Sequence, residues 1–324
     1  MNIPIDIQAF IQQRLDQLEK KRLSILKLEK RATIEQTVAF TVFTPLFVWL
    51  LQSPERQTKR IEVLAMGILF LAWLIRIREL LIRRPRIAFA KSYKDSTVGF
   101  ILQQLYPGLN HEAHKGIPFE RFQSTGLIKS EITQYSSEDL IRGSIDSMQI
   151  AIGEVNVHSG QIDSTTVEFL RSSKFFYGIY LEIEIPQSIE HKITVAPREM
   201  QGYLGWNDHH IYPSEKEVKG FQQQRFNKAY VVRSGGPEET HRVLTPALQD
   251  QILSLRKKIG KSLMLCFQQS KVVVIFEINQ PWFEPSIRRP CNDFAAVQHF
   301  ADDIALCLEV VDSFNRKEAI RNEV

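Results

Sequence analysis

TVAFTVFTPLFVWLL, Thr37 to Leu51, and VLAMGILFLAWLI, Val63 to Ile75, decide how this chain is organised. Neither run contains a charge, so neither has a polar face to offer water. A spanning helix takes about 20 apolar residues to cross roughly 30 Å of hydrocarbon. Both runs are shorter than that, and Lys59, Arg76 and Arg78 extend them by reaching toward headgroups. Pro45 would cost about 3 kcal/mol inside a soluble helix and less inside a membrane helix. Trp49 and Trp73, near the run ends, suit a membrane boundary. The competing reading is a pair of buried core helices; the tryptophans and basic flanks favour lipid.

The link QSPERQTKR, Gln52 to Arg60, is short and polar, so the two helices are expected to be antiparallel with both chain ends on one side. Six Lys/Arg lie between Lys20 and Arg31 and six between Arg76 and Lys91, against three in the link. That excess places both termini in the cytoplasm. Arg76, Arg78, Arg83, Arg84 and Arg86 are expected on anionic lipid headgroups, each contributing about 1 kcal/mol near the surface. Upstream, Ile7, Phe10, Ile11, Leu15, Leu18, Ile25 and Leu28 recur at helical spacing among charges. This stripe predicts an amphipathic or coiled-coil helix that packs on the chain's own body or drives homo-oligomer formation.

Of the overall +4, residues 1–91 carry +8 (16 Lys+Arg against 8 Asp+Glu), which leaves −4 on residues 92–324. A nucleic-acid-binding domain concentrates its basic residues on the folded part, so nucleic acid is set aside. The cysteines, Cys266, Cys291 and Cys307, are widely spaced and include no C-x-x-C pair, which encodes neither a disulfide framework nor a zinc site. A reducing compartment fits. The first 30 residues lack the apolar core of a signal peptide.

Beyond Lys91 the patterns alternate. Val98, Ile101, Leu102 and Leu105 predict a helix ending at Pro107-Gly108. Met148, Ile150 and Ile152, then Val155 and Val157, predict a strand with a bulge at Gly153-Glu154. Ile179, Leu181, Ile183 and Ile185 predict a strand with Tyr180, Glu182 and Glu184 outward, stopped by Pro186; Ile193-Thr194-Val195 predicts another. Thr245 as N-cap, Pro246 at the first helical position and Gly260 as terminator frame a helix buried along Leu248, Ile252, Leu255 and Ile259. SLMLCF and KVVVIFEI, around Gln268 to Ser270, predict a hairpin, and Asp293 to Phe314 a closing helix. Helices around a mainly antiparallel sheet make the fold class α+β. The expected domains are an amphipathic helix (1–33), a transmembrane helical hairpin (34–82), a basic linker (83–94), an α+β domain (95–316) and a tail (317–324).

Phe119 to Ile128, YSSEDLIRG (Tyr135 to Gly143), FFYGI (Phe175 to Ile179), FNKAYVV (Phe226 to Val232), RVLTPAL (Arg242 to Leu248) and WFEP (Trp282 to Pro285) occur in this order. Together they resemble the bacterial domain-of-unknown-function family 3137, over roughly Asp95 to Phe314. The resemblance implies a two-helix hairpin in the bacterial cytoplasmic (inner) membrane bearing a cytoplasmic α+β domain, and no established activity. Ser234-Gly235-Gly236-Pro237 departs from the acidic turn expected before R-x-L-T-P.

Chemistry-bearing candidates are few. His111 and His114 share a helix face if that stretch is helical, without H-E-x-x-H spacing. Asp208, His209 and His210 offer carboxylate and imidazole for acid-base work, although adjacent histidines in a strand point apart. Glu138 and Asp139 are paired carboxylates that also suit a helix start capped by Ser136 or Ser137. Arg242 is a candidate to bind an anion at the Thr245 helix start. Tyr203, Trp206, Trp282 and Phe283 are candidates for a partner surface or for core. No metal site and no cofactor are expected, and serine-nucleophile, Walker and dinucleotide motifs are absent. The expected function is a membrane-bound interaction or scaffold domain with membrane lipid and an unidentified protein as partners; the alternative is a membrane-associated hydrolase or metal-dependent enzyme.

Overall fold

From Ile5 to Gln52 the chain contains no glycine and a single proline, and it forms one 48-residue helix, α1. The computed structural model describes residues 5–52, 60–146, 148–159, 174–206, 215–260, 262–279, 281–282, 284–285, 287–291 and 294–315. It divides into two units, Asn2–Val98 with Glu284–Gln298, and Gly99–Phe283 with His299–Val324.

In the first unit, α1 buries Ile11, Leu15, Leu18 and Ile25 of the anticipated stripe but leaves Leu28 exposed, and it runs unbroken past residue 33 and through Pro45. Beyond residue 33 the one-sided pattern ends. Ile34, Val38, Phe40, Val42, Leu46 and Trp49 are all exposed. The second helix, α2 (Arg60–Arg78), likewise exposes Leu64, Ile68, Leu69, Leu71, Trp73 and Ile75. The two meet along an antiparallel seam: Gln36 Nε2 donates to the Leu74 carbonyl (3.3 Å), Phe43 stacks on Phe70 (centroids 3.8 Å apart), and Gly67 lies against Phe47. A Cβ at Gly67 would come within 2.9 Å of the Phe47 ring, so glycine permits the close approach. Among the described residues, one helix contains an apolar window long enough to cross a membrane; the window lies within Ile11–Leu50, and none of it is buried.

After α2 a π-helical turn (Glu79–Arg83), α3 (Arg84–Tyr93) and a second π-helical turn (Lys94–Val98) follow. The segment read as a basic linker is therefore helical, with Pro85 at the start of α3 directly after the first π-helical turn. Cross-links hold α1 to its own unit. Arg86 pairs with Glu29 through two hydrogen bonds, Arg22 Nη1 donates to the Ile287 carbonyl (2.6 Å), and the Cys291 N–H donates to Glu19 (2.9 Å).

The second unit opens with α4 (Gly99–Leu105) and is built on seven antiparallel strands: β1 (Leu109–Glu112), β2 (Ile132–Ile145), β3 (Met148–Ser159), β4 (Lys174–Pro197), β5 (Lys216–Val218), β6 (Tyr230–Ser234) and β7 (Met264–Glu277). Their order is β1-β2-β3-β4-β6-β5, with β7 also paired to β4. The helices α5 (Phe119–Ser124), α6 (Gln224–Ala229), α7 (Pro237–Val243), α8 (Pro246–Ile259) and α9 (Phe294–Asn315) complete the mixed helix and antiparallel-sheet fold. Thr245 caps α8 by accepting from the Leu248 N–H (3.3 Å), and Gly260 ends it at φ 129°.

Strand β4 organises the sheet. Its first half lies between β3 and β7, and its second half between β6 and β7. A straight strand of 24 residues would span about 80 Å at roughly 3.3 Å per residue, so it bends. The register shifts between Glu184 and Ile193 mark the bend, and Pro186 lies there, where no ladder N–H is required. Pro186 thus interrupts the ladder without ending the strand, and Ile193-Thr194-Val195 belongs to the same strand. The expected hairpin at Gln268 to Ser270 is instead a bend in the continuous β7, with Gln269 at φ 52°. Both halves of β7 pair with β4.

Two further expectations fail because this sheet is covered on both faces. Tyr180 and Glu182, read as outward, are buried, with the Tyr180 hydroxyl donating to Glu182 (2.9 Å) and Lys271 beside the same carboxylate (2.8 Å). Strand β3 keeps continuous register with β4 through Gly153 and Glu154, and the irregularity lies in β2, between Glu138 and Ile141. The change of apolar phase along β3 therefore records burial on both faces rather than an inserted residue.

Candidate functional site

Glu138 and Asp139 occupy the irregular stretch of β2, not a helix start. Their serine and acidic neighbours favour a cap locally, but β1 on one side and β3 on the other recruit the backbone into the sheet. At the irregularity Asp139 takes φ 57°, a left-handed conformation that aspartate tolerates better than most residues. The kink turns its carboxylate inward, where Asp139 is fully buried and its Oδ1 accepts from His111 Nε2 at 3.1 Å when that nitrogen carries the proton.

Glu154, opposite Glu138 in register, completes the constellation. Among the described residues, Glu138, Asp139 and Glu154 bring carboxylate oxygens within 4.8 Å of one another, with Glu138 exposed and the other two buried. Glu154 is held from two directions. The Trp282 backbone N–H donates to Oε1 (2.7 Å) and the Tyr177 hydroxyl to Oε2. Behind it, Ser137 Oγ donates to the Glu154 carbonyl (2.6 Å) while accepting from the Ile117 N–H (2.8 Å). Gly116 allows this approach, because a Cβ there would lie 2.3 Å from the Ser137 carbonyl oxygen.

Oxygen-only donors of this kind suit a hard cation or a shared proton. Here they are also structural acceptors: the hydrogen bonds from Tyr177 and Trp282 tie β4 and the segment after β7 to β3. Sequence reading missed Glu154 and the His111 contact. Glu154 left a signal, an acid on the same alternating phase as Ile150 and Ile152.

The remaining candidates are dispersed. His111 lies in β1, not on a helix, and His114 is exposed, so the two imidazoles form no pair. Asp208, His209, His210 and Phe283 lie outside the described residues. Trp206 is fully buried and offers no partner surface; its Nε1–H donates to the Leu127 carbonyl (2.8 Å), and Lys129 and Arg233 lie 5.7 Å and 5.5 Å from its ring. Beside it, burial would raise the Glu215 carboxyl, but the hydrogen bond and charge of Lys129, then of Lys192, hold it below the usual carboxylate range. Trp282 is half-buried with its ring against Phe276, and Tyr203 packs partly against the core. Arg242 is exposed on α7. On the same helix, Glu239 accepts from the backbone N–H groups of Glu190 (2.9 Å) and His191 (2.8 Å).

Comparison with known proteins adds a family and a distant structural likeness. Residues 174–316 match the family described as "Protein of unknown function (DUF3137)". The match begins at β4, so two of the resembling segments, Phe119 to Ile128 and Tyr135 to Gly143, precede it. No curated protein matches the chain. The crystal structure of the mycobacterial trehalose monomycolate transport factor A aligns at 8% identity with a TM-score of 0.36, over 65% of this chain and 96% of that one.

Proposed function

We propose that this chain, whose residues 174–316 match the DUF3137 family model, is a two-pass protein of a bacterial cytoplasmic membrane that holds an α+β interaction domain at the cytoplasmic surface. One observation carries the reading. Away from the seam where the two helices meet, most apolar residues of α1 from Ile34 onward and of α2 are exposed, whereas the second unit buries an extensive apolar core. Ile68 and Leu69 are each 69% exposed, and Ile34, Val42, Trp49 and Ile75 exceed 60%. Each such side chain left in water forgoes roughly 1.5–3 kcal/mol of transfer free energy, and contiguous apolar patches of this kind mark a membrane or a partner. Two helices that satisfy their own backbone bonds can enter hydrocarbon. The basic flanks from Lys20 to Arg31 and from Arg76 to Lys91 support cytoplasmic termini.

An interaction role is supported over catalysis because the buried carboxylates of the second unit are engaged by the fold's own donors. The enzymatic alternative draws on Glu138, Asp139 and Glu154 and requires a substrate to replace those bonds.

Topology mapping tests the proposal. Cys266, Cys291 and Cys307 are buried, so single cysteines introduced at Ser24, in α1, and at Ser53, in the link, report separately. A membrane-impermeant maleimide applied to intact cells should label Ser53→Cys and spare Ser24→Cys. Equal labelling of both, or release of the chain by alkaline carbonate, defeats the reading.

A further inference from the structure

We propose that the groove between α1 and α2 binds one anionic phospholipid, with its phosphate on Arg78 and its acyl chain along Phe40 and Ile75. The proposal rests on the membrane reading above and supplies a ligand for it. The groove has a volume of about 390 Å³, within the range of small-molecule sites. Its walls are of two kinds: Phe40, Leu74 and Ile75 are apolar, while Gln36, Thr37, Thr41 and Arg78 are polar.

The two ends of the groove differ, with Arg78 at one end and Phe40 and Thr41 at the other, while Ile75 lies between Leu74 and Arg78. Gln36 is level with Leu74, to whose carbonyl it is bonded. Arg78 lies about one turn farther toward the basic flank, and Phe40 about one turn deeper toward the Phe43–Phe70 stack. A ligand lying here has its charge at the interface and its chain in the hydrocarbon.

Charge and hydrogen bonding narrow the head. Of the nearby arginines, Arg83 is paired with Glu79 (3.2 Å) and Arg86 with Glu29. Arg78 is exposed, and among the described residues no ion pair engages it. The Thr37 hydroxyl donates to the Thr33 carbonyl (2.9 Å) and the Thr41 hydroxyl to the Thr37 carbonyl (2.8 Å), so each of these groove residues has its proton committed and offers a ligand only an acceptor. With Gln36 Nε2 donating to Leu74, its amide oxygen is a third acceptor. A cation beside several acceptors complements a phosphate that carries free hydroxyls, as a phosphoglycerol head does. A choline head brings no hydrogen-bond donor and sets its own positive charge near Arg78. A free phosphate would satisfy Arg78 and leave the apolar wall unused, which favours the lipid as occupant.

The test uses the full chain in nonionic detergent, titrated with phosphatidylglycerol or phosphatidylcholine of identical chains, with occupancy read by native mass spectrometry. Phosphatidylglycerol should bind first, one per chain and about tenfold more tightly than phosphatidylcholine, the ratio that one charge-assisted contact supplies. Arg78→Gln should abolish that preference, whereas Arg84→Gln, on the basic flank but outside the groove, should change it less than about twofold. Thr37→Val should weaken phosphatidylglycerol alone. Ile75→Trp, which narrows the groove from the α2 side without removing a charge, should lower affinity for phosphatidylglycerol and provides the decisive variant if Arg78→Gln alters the circular dichroism. Equal losses from Arg78→Gln and Arg84→Gln, or displacement by glycerol 3-phosphate, overturn the proposal. A carbonate-resistant chain without phosphatidylglycerol preference defeats the lipid site alone, while a carbonate-released chain defeats the anchoring.

Discussion

Glu154 allows the sharpest separation of charge from hydrogen bonding in this fold. It is 2% exposed, it accepts from the Trp282 N–H at 2.7 Å and from the Tyr177 hydroxyl, and its carboxylate lies within 4.8 Å of that of buried Asp139. Glu154→Ala removes the acceptor for both donors, and each buried donor left unpaired costs about 1–3 kcal/mol. Like-charge repulsion acts in the opposite direction. Two ionised carboxylates at 4.8 Å repel by about 3 kcal/mol at an effective dielectric of roughly 20. Set against about 2–6 kcal/mol for the two donors together, this leaves the alanine variant expected to lose no more than about 3 kcal/mol. Glu154→Gln retains an acceptor for the Trp282 N–H and removes the charge, so its stability should equal or exceed that of the parent. Thermal unfolding of the full chain in detergent at pH 7.5, followed by tryptophan fluorescence, measures both. A glutamine variant at least as unstable as the alanine variant would refute the reasoning, because the charge itself would then be what the site requires.

Three further outcomes follow from single residues. Burial raises the Asp303 carboxyl to about 6; because the unfolded chain ionises near its ordinary value, stability should fall as pH rises from about 4 through 6, and Asp303→Asn should be more stable above that window by on the order of 1–2 kcal/mol after allowance for partial exposure, as read from melting curves at pH 4.5 and 7.5. Trp206→Phe removes the donor to the buried Leu127 carbonyl and should cost about 1–3 kcal/mol in chemical denaturation, with Trp206→Ala costing more through the cavity left. Gly178→Ala places a Cβ 2.2 Å from the Phe276 carbonyl oxygen, which forces β4 from β7 and should lower stability by more than about 2 kcal/mol, while Gly220→Ala, in open space but at φ 86°, should cost about 1 kcal/mol in the same assay.

The parts of the fold that periodicity and capping specify were legible. Ile11, Leu15, Leu18 and Ile25 line the buried stripe of α1, and Thr245, Pro246 and Gly260 bound α8. Local chemistry misled where tertiary pairing overrode it. Ser136 to Asp139 reads as a helix start until two neighbouring strands claim the backbone, and Pro186 reads as a stop until a bend supplies a position needing no N–H. Alternation failed at Tyr180 and Glu182 because a polar side chain buried with a partner has the same spacing as one facing water. At the candidate site, Glu138 and Asp139 were visible as a pair. Glu154 and His111 were not, since only the β1-β2-β3 register brings residues 15 to 28 positions away beside them.

The central claim is that α1 beyond Ile34 and α2 meet acyl chains, and nitroxide accessibility at Ile68 measures it most directly. With Ile68→Cys spin-labelled in the full chain reconstituted into vesicles, collision with dissolved oxygen should greatly exceed collision with a water-soluble nickel chelate, with the same ratio reversed at a label on Ser24→Cys. A nickel collision rate at Ile68 equal to that at Ser24 would mean that this helix faces water, and the anchored account would be wrong.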